Sequence, residues 1–411
     1  MQAKRPGLDE AVDLILDEVA PGKAETVPVA AALGRTLAAD LRVPRDFPDL
    51  PRSAVDGYAL IAGAGREHEI VGEVQAGHLP DVTLRPGQAV AIMTGAVVPD
   101  GADTVVMIER CEVADGRVAV PDGLRSGDMI NPVGDEARAG DALAAAGRVV
   151  TAAMQGALLC AGLREIDVVA RPRVGILVSG DEVRDVADGF RPGMVFDANR
   201  YVLTAICAGL DAEVTAVVKV ADDPAATRAA LSELCAHGDF AVTSGGVSRG
   251  RYDHVGEILR DAPYAPLLTG TAIKPGKPLH VARSPEGALI FGLPGYPASF
   301  LTNAFLYLVP ALKKAAGRGR YRTAWLRATT EGPFRYRPGR RDLNRAELRL
   351  VDGRWLARDP GTQMASHFLS FARVDGIVRM PRAAPDGHTG GAAILPPGSE
   401  VPVLNLQLEL S

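Results

Sequence analysis

Two lysines three residues apart, Lys274 and Lys277, sit in a turn stiffened by Pro275 and Pro278 and opened by Gly276. A pair of ammonium groups held at fixed spacing suits phosphate or another oxyanion. Two further loops offer complementary groups. Ser244-Gly245-Gly246-Val247-Ser248 brings two hydroxyls and two glycines whose positive φ values can turn successive N–H groups inward. Gly292-Leu293-Pro294-Gly295-Tyr296-Pro297 opens an apolar helical run with Pro297 near its first turn. Carboxylates follow the neighbouring strands: Asp181 and Glu182, Asp222 and Asp223, and Asp253. A hard divalent cation bound beside a polyanionic substrate needs only one or two of them. Asp223, followed by Pro224, reads instead as a helix N-cap.

Something must bring these loops to one place. Each follows a short apolar, β-rich run, at residues 174–178, 240–243, 267–273 and 289–291. In the third, Thr269, Thr271 and Ile273 alternate. Helical runs at 198–209, 225–237 and 298–315 intervene, and a strand covers 213–220. Such alternation implies a largely parallel three-layer α/β domain, which binds its ligands at the carboxyl ends of its strands. His280, beside the lysine turn, reads as a strand residue.

The flanking regions differ. Residues 8–19 place Ala11, Val12, Leu14, Ile15 and Val19 on one helical face. From 25 to about 143 short alternating runs broken by Gly and Pro indicate a mostly β region, in which Gly134, Asp135 and Glu136 form a solvated acidic turn, and a helix at 152–162 closes it. Past a basic, Gly-containing linker at 317–320, strands at 342–350, 377–380 and 401–410 suggest a small β-barrel or sandwich. The expected division is an N-terminal mostly-β region over 1–171, with room for two subdomains, a central α/β domain over 172–318 and a C-terminal β-barrel over 319–411.

Composition narrows the function. With 411 residues, 47% of them hydrophobic, the chain has material for several cores. Lys and Arg number 45 against 50 Asp and Glu, so the net charge of −5 gives no general attraction to nucleic acid or an acidic membrane. No signal-like or membrane-length apolar run occurs, which points to a cytoplasmic protein. Cys111, Cys160, Cys207 and Cys235 lack any C-x-x-C spacing and are expected as buried thiols rather than zinc ligands or disulfides.

Taken together, Ser179-Gly180-Asp181-Glu182, the SGGVS loop, Ala272-Ile273-Lys274-Pro275-Gly276-Lys277-Pro278 and the LPGYP loop resemble the central, MogA-like domain of the MoeA family. These are the molybdenum insertases of molybdenum-cofactor synthesis, relatives of the gephyrin E domain. Ser53-Ala54-Val55-Asp56-Gly57-Tyr58-Ala59, Met93-Thr94-Gly95-Ala96 and Pro99-Asp100-Gly101-Ala102-Asp103 resemble that family's N-terminal motifs in the same order, so the resemblance spans essentially the whole chain. It implies transfer of molybdate onto adenylylated molybdopterin, with Mg²⁺ and release of AMP. It also implies catalytic roles for Asp56, Thr94, Glu136, Glu182, Asp222 and Asp253, the last three near the metal. Ser179, Gly180, Ser244, Gly245, Gly246, Ser248, Lys274, Lys277, Pro294, Pro297 and Ser299 would bind substrate. The family further implies a homodimer in which the N-terminal part of one subunit closes the central pocket of the other.

The chain departs from the family pattern in four places. Met129-Ile130-Asn131-Pro132-Val133-Gly134-Asp135-Glu136 stands where the family has N-I-R-x-x-G-E-D, so Asn131 replaces an arginine and the acidic pair is reversed. Arg249 and Arg251 replace a valine and a glutamate, and Tyr296 replaces an asparagine with an aromatic ring able to stack on a pterin. Arg251 is a candidate to supply the anion contact that Asn131 no longer makes. The altered charges at Asn131, Arg249 and Arg251 leave open one alternative to an insertase, a gephyrin-like scaffold that keeps the fold. A separate alternative is a nucleotide-processing enzyme using only the central domain, like the MogA-like adenylyltransferases, which lack the long N-terminal β region present here.

Overall fold

The computed structural model describes residues 5–247, 254–383 and 391–410. Its central sheet has six strands in the spatial order Glu213–Val220, Arg173–Ser179, Phe240–Ser244, Leu289–Leu293, His280–Arg283 and Ala265–Thr269. The first four run parallel, His280–Arg283 runs against them, and Ala265–Thr269 pairs antiparallel with His280–Arg283. Arg173–Ser179 and Phe240–Ser244 are continuous apolar runs because helices cover both faces of the sheet. On one face Ile176, Val178, Val242 and Phe291 pack with Leu203, Ile206 and the helical residues Phe300 to Leu312. On the other, Leu177, Ala241 and Ile290 pack with Leu231 and Leu234 of the helix Pro224–His237 and with Val255 and Ile258.

The third expected run divides in two. Its alternation continues to Ile273, but Gly270 takes a φ of 98° and ends the strand Ala265–Thr269. Thr271 then turns its hydroxyl to the Gly276 carbonyl, at 3.3 Å, and Ile273–Lys274 leaves the central sheet to pair in parallel with the strand Arg341–Val351 of the C-terminal part. The apolar helix at its other end is also interrupted: Pro297–Asn303 passes through a π-helical segment, Ala304–Leu308, before Val309–Ala315.

The C-terminal part is a closed five-stranded barrel, as expected. Arg341–Val351, Arg354–Arg358, Trp325–Thr330, Glu400–Asn405 and Gly376–Arg379 pair in turn, and the last returns to Arg341–Val351. Phe334, Ala346, Val378, Met380 and Val403 fill it.

The N-terminal region holds two kinds of core. A six-stranded sheet ordered Thr104–Met107, Gly57–Leu60, Gln88–Ile92, Glu67–Val74, Arg117–Ala119 and Glu112–Ala114 packs Ala59, Val90, Ile92 and Val105 on one face and Tyr58, Leu60 and Val118 on the other. A separate cluster of Val29, Leu37, Val150, Leu158, Ile166 and Val168 joins the chain entering that sheet to the chain leaving it. The helix Leu8–Asp17 precedes both but buries Leu8, Ala11 and Ile15 in the central core. Arg35, buried at the junction, bonds Glu25, Asp211 and the Val169 carbonyl. Among the described residues no helix is long and apolar enough to cross a membrane.

Cys207 and Cys235 are buried as expected, and burial pushes their thiols up to about 12 and about 11. Cys111 is only half-buried, and Cys160 is exposed, because the helix Ala152–Cys160 buries Leu158 alone.

Candidate active site

The register of the parallel strands decides where the loops meet. Ser179 lies opposite Val220, Val178 opposite Ser244, and Ser244 opposite Leu293. The carboxyl ends of four strands are therefore level, and Ser179 to Glu182, Asp222, Gly245 to Val247 and Pro294 all issue from one edge. His280 pairs with Gly292, so the lysine turn that precedes it reaches the same edge.

The loops are tied to one another there. Gly245 N–H donates to the Leu293 carbonyl at 3.0 Å, and the Ser179 hydroxyl lies 3.5 Å from the Ser244 carbonyl. Gly245 and Gly246 have φ values of 95° and 68°, as inward-turned amides require. Asp222 N–H lies 3.4 Å from Asp181 Oδ1. Glu182 is exposed beside Gly180, and Lys274 and Lys277 are both exposed. Ser299 is buried, donating its N–H to the Tyr296 carbonyl at 3.0 Å, and Tyr296 itself is 65% exposed. Asp223 caps the helix Pro224–His237, accepting from Ala226 N–H at 2.7 Å. Ser248, Arg249, Arg251 and Asp253 lie outside the described residues.

The lysine turn has a rigid floor. Thr271 N–H donates to the Lys277 carbonyl at 3.1 Å, and Asn303, fully buried, donates to the Pro278 carbonyl at 2.9 Å. Gly276 has a φ of 102°, and a Cβ there would lie 2.2 Å from Asn303 Oδ1, so only glycine fits. His280 is a buried strand residue whose imidazole is pushed down to about 4, first by burial and then by Arg260 and Arg5.

The N-terminal candidates form a second group. Gly57 pairs with Ile92, which puts Asp56 and Thr94 at the same end of adjacent strands. Asp56 Oδ1 accepts the Thr94 N–H at 2.6 Å and its hydroxyl at 2.8 Å. These two bonds hold the exposed carboxyl below the usual carboxylate range. Arg52, paired in register with Asn131, donates to the Gly95 carbonyl at 2.9 Å and so ties the Thr94 turn to the strand that leads to Glu136. Glu136 is exposed, with its N–H held by the Phe47 carbonyl at 3.0 Å. Among the described residues no hydrogen bond or ion pair joins Asp56, Thr94 or Glu136 to the central loops.

Three contributors were missed by sequence reasoning: Asn199, Thr271 and Asn303. Asn199 carried a usable signal. It is a polar residue on the stripe of Leu203 and Ile206, where an apolar one would be the rule. Thr271 read as one more residue of an alternating strand, and Asn303 acts on the Pro278 carbonyl 25 residues away; neither offered a signal.

Two family descriptions match the chain: residues 7–162 match "MoeA N-terminal region (domain I and II)", and residues 175–314 match "Probable molybdopterin binding domain". A molybdopterin molybdenumtransferase from Nostoc sp. is 31% identical over 396 residues, covering 93% of this chain and 89% of the relative. The enzyme of the same name from Bacillus subtilis is 30% identical over 387 residues, covering 91% and 90%. The crystal structure of a molybdopterin biosynthesis MoeA protein from Pyrococcus horikoshii superposes with a TM-score of 0.82 at 28% identity, covering 98% of this chain and 99% of that one.

Proposed function

The chain belongs to the MoeA family, and from that premise we propose that it is a molybdopterin molybdenumtransferase of molybdenum-cofactor biosynthesis that inserts molybdate into adenylylated molybdopterin and releases AMP. The observation that carries this reading is the level register of Ser179, Val220, Ser244 and Leu293, which gathers the anion-binding loops at one sheet edge.

Each side chain then has a task. Lys274 and Lys277 neutralise the charge of molybdate and of the substrate's phosphates. Ser179, Gly180, Ser244, Gly245, Gly246 and Ser248 offer hydroxyls and amides, while Pro294, Pro297 and Ser299 shape the wall beneath Tyr296. Asp56, kept ionised by Thr94, and Glu136 come from the N-terminal region.

Mg²⁺ fits the donor set. Glu182 and Asp222 bring carboxylates to the same strand edge as the anion-binding loops, the hard oxygen donors that Mg²⁺ takes alongside water and substrate phosphates. Glu182 and Asp222 at the strand edge, with Asp253, would hold it, and it would supply charge neutralisation at the phosphates. The exposed apolar side of the helix Ala152–Cys160, with Leu159 at 50% exposure, suits cover by a second copy of the chain. We assign a homodimer in the cytoplasm, each site composed of central loops from one subunit and Asp56, Thr94 and Glu136 from the other. Nothing in the fold favours a scaffold role.

The test is complementation. Introduced into a bacterium deprived of its own molybdopterin molybdenumtransferase, the chain should restore molybdoenzyme activity. Well-expressed, folded protein that restores none would count against the reading.

A further inference from the structure

The helix Ala198–Gly209 begins beside the proposed substrate loops, and its second residue faces them. Asn199 is 6% exposed, and its Nδ2 donates to Ser244 Oγ at 2.8 Å and to the Gly295 carbonyl at 2.9 Å. Both amide hydrogens are therefore used. Because the Gly295 carbonyl can only accept, the orientation of the amide is fixed, with nitrogen toward the loops. Two consequences follow for Ser244, itself 7% exposed. One lone pair of its oxygen accepts from Asn199, and its single proton has no acceptor among the described residues. With Asn199 taking one lone pair, the hydroxyl is left with its proton available to donate, which suits an anionic oxygen.

The same helical turn fastens the remaining loop. Arg200 pairs with Asp185, in the segment that follows Ser179 to Glu182, and with Asp197, which caps the helix by accepting the Arg200 N–H at 3.1 Å. One turn of helix thus holds three loops that arise from three different strands.

We infer that Asn199 is a positioning residue: it fixes the separation of the Ser244 and Gly295 loops and commits the Ser244 hydroxyl to donate to an anionic oxygen of the substrate. The inference rests on the anion-site reading of this sheet edge. It differs from a purely structural role in one respect, that the effect of Asn199 on binding must pass through the Ser244 hydroxyl.

A double-mutant cycle on the full-length protein separates the two, with molybdate as the probe in isothermal titration. Asn199→Asp keeps the size of the side chain but replaces the donor by an acceptor, which draws the Ser244 proton away from the site. This variant should bind molybdate at least about tenfold more weakly, the loss expected for one hydrogen bond to a charged group. Ser244→Ala should lose a similar amount, and the double variant should be no weaker than the weaker single one. Unchanged affinity in Asn199→Asp, or losses that multiply in the double variant, would overturn the inference while leaving the site reading intact. If Asn199→Asp does not fold, Asn199→Ala in the same cycle carries the test with the same two outcomes. An unmodified protein that binds no molybdate would overturn the site reading and this inference with it.

Discussion

The Asp56 carboxylate accepts both hydrogens that Thr94 can offer, the backbone N–H at 2.6 Å and the hydroxyl at 2.8 Å. The backbone bond lowers the carboxyl's pKa most and the hydroxyl adds to it. Thr94→Val removes only the hydroxyl, so part of the depression should remain. A carboxyl whose folded pKa is depressed stays ionised to lower pH, and losing a donor raises that pKa. If Asp56 must be ionised, the acidic limb of the pH–activity profile should move to higher pH in Thr94→Val. An acidic limb at its original position, with activity otherwise retained, would remove Asp56 from the chemistry.

The lysine turn should carry oxyanion affinity without carrying stability. Lys274 and Lys277 are exposed, so neither adds much to the folded state. Lys274→Ala and Lys277→Ala should each weaken molybdate or nucleotide binding by about 1.5 to 3 kcal/mol, the worth of a hydrogen bond to a charged group. Titration calorimetry beside thermal melts would check this, and full affinity in both variants would contradict it.

Adjacent aspartates should behave differently. Asp223 caps a helix through Ala226 N–H, so Asp223→Ala should lower stability by about 1 kcal/mol and leave the Mg²⁺ titration of activity unchanged. Asp222 makes no cap, and on the proposed reading Asp222→Asn should raise the Mg²⁺ concentration needed for half-maximal activity. The converse pattern in the two Mg²⁺ titrations would transfer the metal role to Asp223.

Much of this arrangement was legible in the chain. The runs ending at Ser179, Ser244 and Leu293 are apolar, β-rich and bounded by glycine, proline or serine, so their loops could be placed at strand ends. The run through Thr269, Thr271 and Ile273 misled, because alternation continues past the point where Gly270 breaks the strand and the Gly276 carbonyl captures Thr271. The face of residues 8–19 announced packing, but amphipathicity does not name a partner, and the helix docks on the central core. Cys160 was expected to be buried because thiols usually are, yet its helix buries only Leu158. Asn199 stood in an apolar stripe, and the reason for it became visible only with Ser244 and Gly295 beside it.

The composite site has its own test. Asp56→Ala and Asp253→Ala subunits should each be inactive as homodimers. In a mixed dimer built as proposed, one site receives both defects and the other neither, so purified heterodimers should recover activity in about half of their sites. Heterodimers as inactive as either parent would mean that each site is built within one chain.

The insertase claim itself is tested most directly by reconstitution. Purified protein supplied with adenylylated molybdopterin, molybdate and Mg²⁺ should release AMP in step with the appearance of a molybdenum-loaded cofactor that activates a cofactor-free molybdoenzyme. AMP release should stop when molybdate is withheld. A protein that binds the adenylylated substrate yet releases no AMP and yields no active cofactor under these conditions would contradict the account.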